Sequence, residues 1–213
     1  MKAFASLYLV IFFFACRQSP KIPDDFDYGK IEEGIYKNDY FNMKVSLPST
    51  WEIQSKDQMA NLMKEGEKVL EKKNKELSSK LKANQVSTAL LLIMFKNKTD
   101  SVIGQFNPSF MIIAENLGRM SGIKTSVDYL DQLKKTLKQT GINQISPEYT
   151  TRNIGGKDFD VLKATKNDGE VMDIKFVYSV SIQKGFALTI LTTFATEEQE
   201  DEIMDVLHKI TFM

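Results

Sequence analysis

One cysteine, one histidine and one tryptophan are all that this chain of 213 residues holds of three side chains that build many disulfides, metal cages and catalytic centres. A single cysteine excludes any disulfide within a monomer, and one cysteine with one histidine cannot assemble a Cys/His zinc cage. Charge of one sign is missing too: 28 Lys and Arg face 28 Asp and Glu. Nucleic-acid binding calls for a clustered positive excess, so that class of partner is set aside. Glycines are few and scattered. Gly104 and the pair Gly155-Gly156 read as turn residues, no phosphate-cradling loop is present, and no Gly-x-Ser-x-Gly elbow marks a serine nucleophile. No cofactor is expected. Past the N-terminus the longest apolar run, residues 89–95, is far too short to cross a bilayer.

What is present begins with a targeting segment. Lys2 supplies a positive start, and residues 3–14 form an almost unbroken apolar run of signal-peptide length. The run ends in Phe13-Phe14-Ala15-Cys16, with the sole cysteine directly after a small residue. This resembles a lipoprotein signal, although such signals usually carry Leu where Phe13 stands. The resemblance implies cleavage after residue 15 and lipidation of Cys16, with fatty-acyl chains such as palmitate mooring the mature chain to a membrane. Residues 16–33 then read as a tether, because Pro20, Pro23 and the acids Asp24, Asp25 and Asp27 leave little to bury.

Residues 34–213 read as one domain. Strands are expected at 35–37 and 42–47 around the turn Asn38-Asp39, with Phe41, Met43, Val45 and Leu47 on a single buried face. Three- and four-residue spacing of Met59, Leu62, Met63, Leu70, Leu77 and Leu81 predicts an amphipathic helix over 56–83, weakest at Gly66 and Asn74. Residues 88–95 and 109–117 are apolar on both faces and read as central strands. Thr125 to Asp128 opens a second helix, and strands follow near 142–153, 159–165, 171–182 and 186–194. Thr196-Glu197-Glu198-Gln199 is a capping box for a last helix burying Ile203, Val206, Leu207 and Ile210. The expected fold class is α+β, a largely antiparallel sheet with helices packed on both faces.

The order of elements, with the string Phe41-Asn42-Met43-Lys44-Val45-Ser46-Leu47-Pro48-Ser49-Thr50-Trp51, resembles the PsbP-like superfamily, whose members open on a strand ending in proline and tryptophan. The likeness covers residues 34–212 and implies an α/β/α sandwich. Members named for photosystem II assist metal-cluster assembly, eukaryotic relatives bind a small GTPase, and bacterial relatives include lipoproteins and chaperone-like binding modules. It therefore implies binding rather than catalysis. Metal assembly does not carry over, because no matching ion-ligand cluster stands in this sequence.

Candidate site residues are sparse. Cys16 is the lipidation site, and Trp51, Asn116, Arg119, Tyr149, Arg152 and Tyr178 are amphipathic groups near strand ends that form a candidate cleft. Trp51 also reads as a plug at the edge of the core. His208 sits near the end of the last helix, where a helix dipole suits it without any catalytic role. Asn97-Lys98-Thr99 matches a glycosylation acceptor by chance. The expectation is a non-enzymatic lipoprotein of a bacterial cell envelope, anchored to the inner or outer membrane with its domain in the periplasm or at the surface. It would serve as an accessory module binding another envelope protein. The alternative is a carrier or sensor of a small apolar ligand or lipid, and an enzyme is a third reading.

Overall fold

A computed structural model describes residues 21–73, 75, 76, 79, 87–98, 106–118, 122–140, 142, 144–167 and 172–213. Two antiparallel sheets carry the architecture. The smaller contains β1 (Lys30–Glu32), β2 (Ile35–Asn38), β3 (Met43–Ser46) and, from the far end of the chain, β12 (Ile210–Phe212), in the order β1-β2-β3-β12. The larger contains β4 (Glu52–Ile53), β5 (Thr88–Phe95), β6 (Ser109–Asn116), β7 (Gln144–Ile145), β8 (Thr150–Ile154), β9 (Lys157–Asn167), β10 (Asp173–Gln183) and β11 (Phe186–Phe194). Its order is β4-β5-β6-β11-β10-β9-β7, with β8 also pairing along β9. Three helices accompany them among the described residues: α1 (Lys56–Lys73), α2 (Ser126–Gln139) and α3 (Glu197–Leu207).

The large sheet is apolar on both faces, so it needs two covers. On one face Phe110, Ile112, Leu188, Ile190 and Val161 pack against Tyr36, Met43 and Val45 of the small sheet and Ile203, Val206 and Leu207 of α3. On the other, Leu162, Ala164, Tyr178, Val180 and Ala187 receive Leu130 and Leu137 of α2. Each fully buried Leu, Ile or Val side chain contributes about 1.5–3 kcal/mol, so neither layer is dispensable. Both α2 and α3 begin as the sequence predicts, with capping boxes at Thr125 and Thr196.

This arrangement corrects the expected α/β/α sandwich, because one face takes a second sheet where a helical layer was expected. The first hairpin, with its one apolar face, belongs to a separate sheet and packs face-on against the large one. Ile210 belongs to β12 rather than to the last helix, since the chain turns at His208 and Lys209 and pairs Ile210 with Val45. α1 runs through Gly66 without a break, while most of the predicted helix beyond it, from 74 to 83, lies outside the described residues.

The tether is shorter than the prolines and acids suggest. Ile22 packs on the core and Phe26 is buried, stacked on Phe186 at 5.1 Å between ring centroids. Asp27 fixes this segment to the β2–β3 turn. Its carboxylate accepts from the backbone N–H of Gly29 and of Asp39, each at 2.7 Å, and its carbonyl accepts from the Asn38 side-chain amide at 2.8 Å. The wholly buried Asn38 completes the knot by accepting from the Phe41 N–H at 2.8 Å.

The sheets also meet at Gly155, in the β8–β9 turn with φ +59°, where a Cβ would lie 2.7 Å from the Ile210 carbonyl oxygen. Gly156, with φ +90°, opens on free space. An alanine at either position costs about 1–2 kcal/mol for the left-handed backbone. Gly155→Ala should lose clearly more than Gly156→Ala in urea denaturation, because it also pushes β12 off β3. Equal losses would show that the close approach has no energetic weight.

Candidate functional site

Strand β4 is only two residues long and covers β5 at Phe95 and Met94, after which the Gln54 N–H donates to the Ile93 carbonyl at 2.9 Å. Beyond that point, among the described residues, β5 has no strand beside it on this edge, while on its other side its register against β6 slips between Leu90 and Leu92, a bulge that bends the strand. Helix α1 starts immediately after β4 and brings Met59, Ala60 and Met63 alongside Thr88 and Leu90. A groove of about 330 Å³ remains there, lined by these residues together with Tyr28 and Lys56. It shares Tyr28, Lys56, Met59 and Leu90 with a recess of about 220 Å³. In that recess Gly29, Lys30, Ile31 and Tyr36 of the small-sheet side face Ile53, Gln54 and Leu90 to Leu92 of the large one.

The N-terminal segment builds the near wall. Tyr36 donates its hydroxyl to the Tyr28 carbonyl at 2.9 Å, and Phe26 meets Tyr28 edge to face. Gly29 has φ +77° and lies so close beneath the Tyr36 ring that a Cβ would stand 2.5 Å from it. The lining is mostly apolar and, among the described residues, carries no carboxylate. Gln54 lies at 6% exposure with its side-chain Nε2 lacking a hydrogen-bond partner. Gln183 Nε2, Thr189 Oγ1 and Glu202 Oε2 share that condition among the described residues, but Gln54 alone of the four lines the recess beside the groove. A buried donor without an acceptor costs about 1–3 kcal/mol, which an oxygen arriving with a ligand would recover. Such a surface can hold an apolar body with an accepting end.

The residues of the candidate cleft are dispersed. Trp51 is buried in the core between the sheets. Asn116, at the end of β6, donates to the Lys21 carbonyl at 2.8 Å and accepts from the Gly118 N–H. Tyr149 donates to the Asp131 carboxylate on α2, and burial, then that carboxylate, push its pKa up to about 12. Arg152 lies 3.3 Å from the Met204 sulfur on α3. Tyr178 is buried beneath α2, on the opposite face of the sheet from Arg152. Arg119 and Cys16 lie outside the described residues. None of the described five lines the groove. His208 caps α3 at the surface. The residues that form the groove escaped sequence reasoning. A polar Gln54 between a short strand and a helix, in Ile53-Gln54-Ser55-Lys56, was the available signal.

One titratable pair is enclosed elsewhere. The Tyr129 hydroxyl on α2 donates to Glu115 Oε2 at 2.8 Å, pinning the helix to the sheet. Burial raises the Glu115 pKa, partly opposed by that hydrogen bond, and burial followed by the Glu115 charge raises that of Tyr129. Among the described residues no cluster of three or more His, Cys, Asp or Glu is placed to hold a metal, and no helix is long and apolar enough to cross a membrane.

Fold and groove together define an antiparallel two-sheet domain with a lateral, mostly apolar groove. Compared with models of known protein families the chain matches none, and no curated protein matches it.

A raised carboxyl pKa means that the folded protein holds this proton more tightly than the unfolded chain does. The contribution is therefore present in acid and is lost as pH rises through the carboxylate range. Glu115→Gln, which cannot ionise, should raise the melting temperature near pH 8, with the gain shrinking toward about pH 4. A gain that is the same at both pH values would show that ionisation of Glu115 has no part in it.

Proposed function

We propose that this chain is a membrane-moored, non-enzymatic carrier or sensor that takes a small apolar ligand in the groove between α1 and β5. The observation that carries the reading is the groove itself, whose volume of about 330 Å³ lies within the range of small-molecule pockets. Its walls come from a helix and a strand, its lining offers mostly apolar surface, and the adjoining recess adds one idle amide. The lipoprotein-like ending of the signal at Cys16 supports mooring in a bacterial envelope, where an apolar ligand can be exchanged with a bilayer.

A second reading, docking of another envelope protein, is favoured by β1. Among the described residues this strand pairs only with β2, and its Ile31 is 46% exposed at the mouth of the recess. An extended segment of a partner has a free edge to join there.

Mooring is tested by a Cys16→Ser variant followed by membrane fractionation. The protein should lose its acyl mass and leave the membrane pellet once released from any uncleaved signal, whereas an unacylated native chain would remove the mooring. The groove is tested by photolabelling the full chain in its membranes with an uncharged, diazirine-bearing long-chain alcohol. Adducts should map to α1 and β5. Ala60→Trp, a change at an exposed helical position that fills the groove, should cut them about tenfold, the equivalent of roughly 1.4 kcal/mol of binding. Adducts spread over the surface and indifferent to Ala60→Trp would remove the carrier reading and leave the protein partner.

A further inference from the structure

We propose that the groove is a site for a long-chain carboxylate, with the acid head bound between the Lys56 ammonium and the Gln54 amide and the tail along Met59, Met63 and Leu90; this rests on the carrier reading above. Charge complementarity selects the head. Lys56 lines the groove and the adjoining recess, Lys30 lines the recess, and among the described residues no Asp or Glu lines either. Lys30 is already paired with Glu32 at 3.0 Å. Lys56 stands 5.5 Å over the Tyr28 ring, and no carboxylate of the described residues pairs with it. Asp57, its neighbour in the first turn, is not part of the lining. Lys56 is also the first residue of α1, where the positive end of the helix dipole adds to its attraction for an anion.

The second observation is independent of charge. Gln54 is more than nine-tenths buried, lines the recess and has an amide nitrogen that no group of the described chain satisfies. Its backbone is fixed by the bond to Ile93, so the side chain is held at the floor while Lys56 stands at the exposed rim two residues later. One ammonium and one amide match the two oxygens of a carboxylate, and both are donors as a carboxylate requires. An alcohol head engages them without charge, and an ammonium head meets Lys56 with repulsion. The tail wall is thioether and leucine, side chains that accommodate a flexible hydrocarbon of variable shape.

The experiment uses the full chain in its membranes and three diazirine-bearing probes of one chain length, ending in carboxylate, alcohol or amine. At equal bilayer loading the carboxylate should label the α1 and β5 peptides about tenfold more than the alcohol, and the amine least, the margin expected of a charge-assisted hydrogen bond. Lys56→Gln, at an exposed position, should abolish the preference, bringing carboxylate labelling down to the level of the alcohol on the same variant. Equal labelling by acid and alcohol, or a preference for the amine, overturns the carboxylate site and leaves the apolar groove standing. If no probe labels α1 or β5, the carrier reading falls with it. A carboxylate preference that survives Lys56→Gln also overturns the assignment of the head to this lysine.

Discussion

A sheet whose middle strands are apolar on both faces cannot stand half-covered, and this constraint shapes the molecule. Strands β5, β6 and β11 carry leucine, isoleucine, methionine and phenylalanine with little alternation, so water must be excluded twice. The chain meets the demand with unlike covers. Helix α2 lies over one side, locked down by the Tyr129 to Glu115 hydrogen bond. A second sheet, completed only when β12 returns from the C-terminus, lies over the other with α3 beside it.

The groove follows from the limits of those covers. The small sheet ends at β1 and the large one at the two-residue β4, so their edges part where β5 is still apolar. Helix α1 and the Phe26 to Gly29 segment close most of the gap. What they leave open lies between rigid walls and is bordered by lysine. The same geometry explains why Gln54 is idle: its backbone finishes the pairing of β4 with β5, and its side chain is carried into a recess with no acceptor for it.

Most elements were legible in the sequence because their signals are local. Both capping boxes, the turn at Gly155-Gly156, and the five long strands β5, β6, β9, β10 and β11 appear where pattern and turn chemistry place them. The layering was not legible, because one apolar face of a hairpin reads the same whether it extends a sheet or lies across one. β12 was missed for a related reason: three residues after a helix carry too little periodicity, and Ile210 at i+3 from Leu207 imitates another helical turn. Asp27 was read as one more solubilising acid, since nothing in its neighbourhood shows that three backbone N–H groups converge on its carboxylate. The groove residues come from four separate stretches of chain, so no spacing rule joins Tyr28 and Ile31 to Gln54, Met59 and Leu90. The candidate cleft failed on the same ground, since strand-end position says nothing about which face a side chain occupies.

The turn around residues 39 to 42 clasps both ends of the chain: Asp27 takes the N–H groups of Asp39 and Tyr40, and the Met213 N–H donates to the Asn42 carbonyl at 2.9 Å. The entering strand of polypeptide and the final residue thus leave from the same pole. Any epitope or fusion appended after Met213 would emerge beside the entering segment, and traction on that segment would be borne first by the Asn116 bond to the Lys21 carbonyl and by Ile22 and Phe26 in the core, with the Asp27 carboxylate behind them as a second clasp.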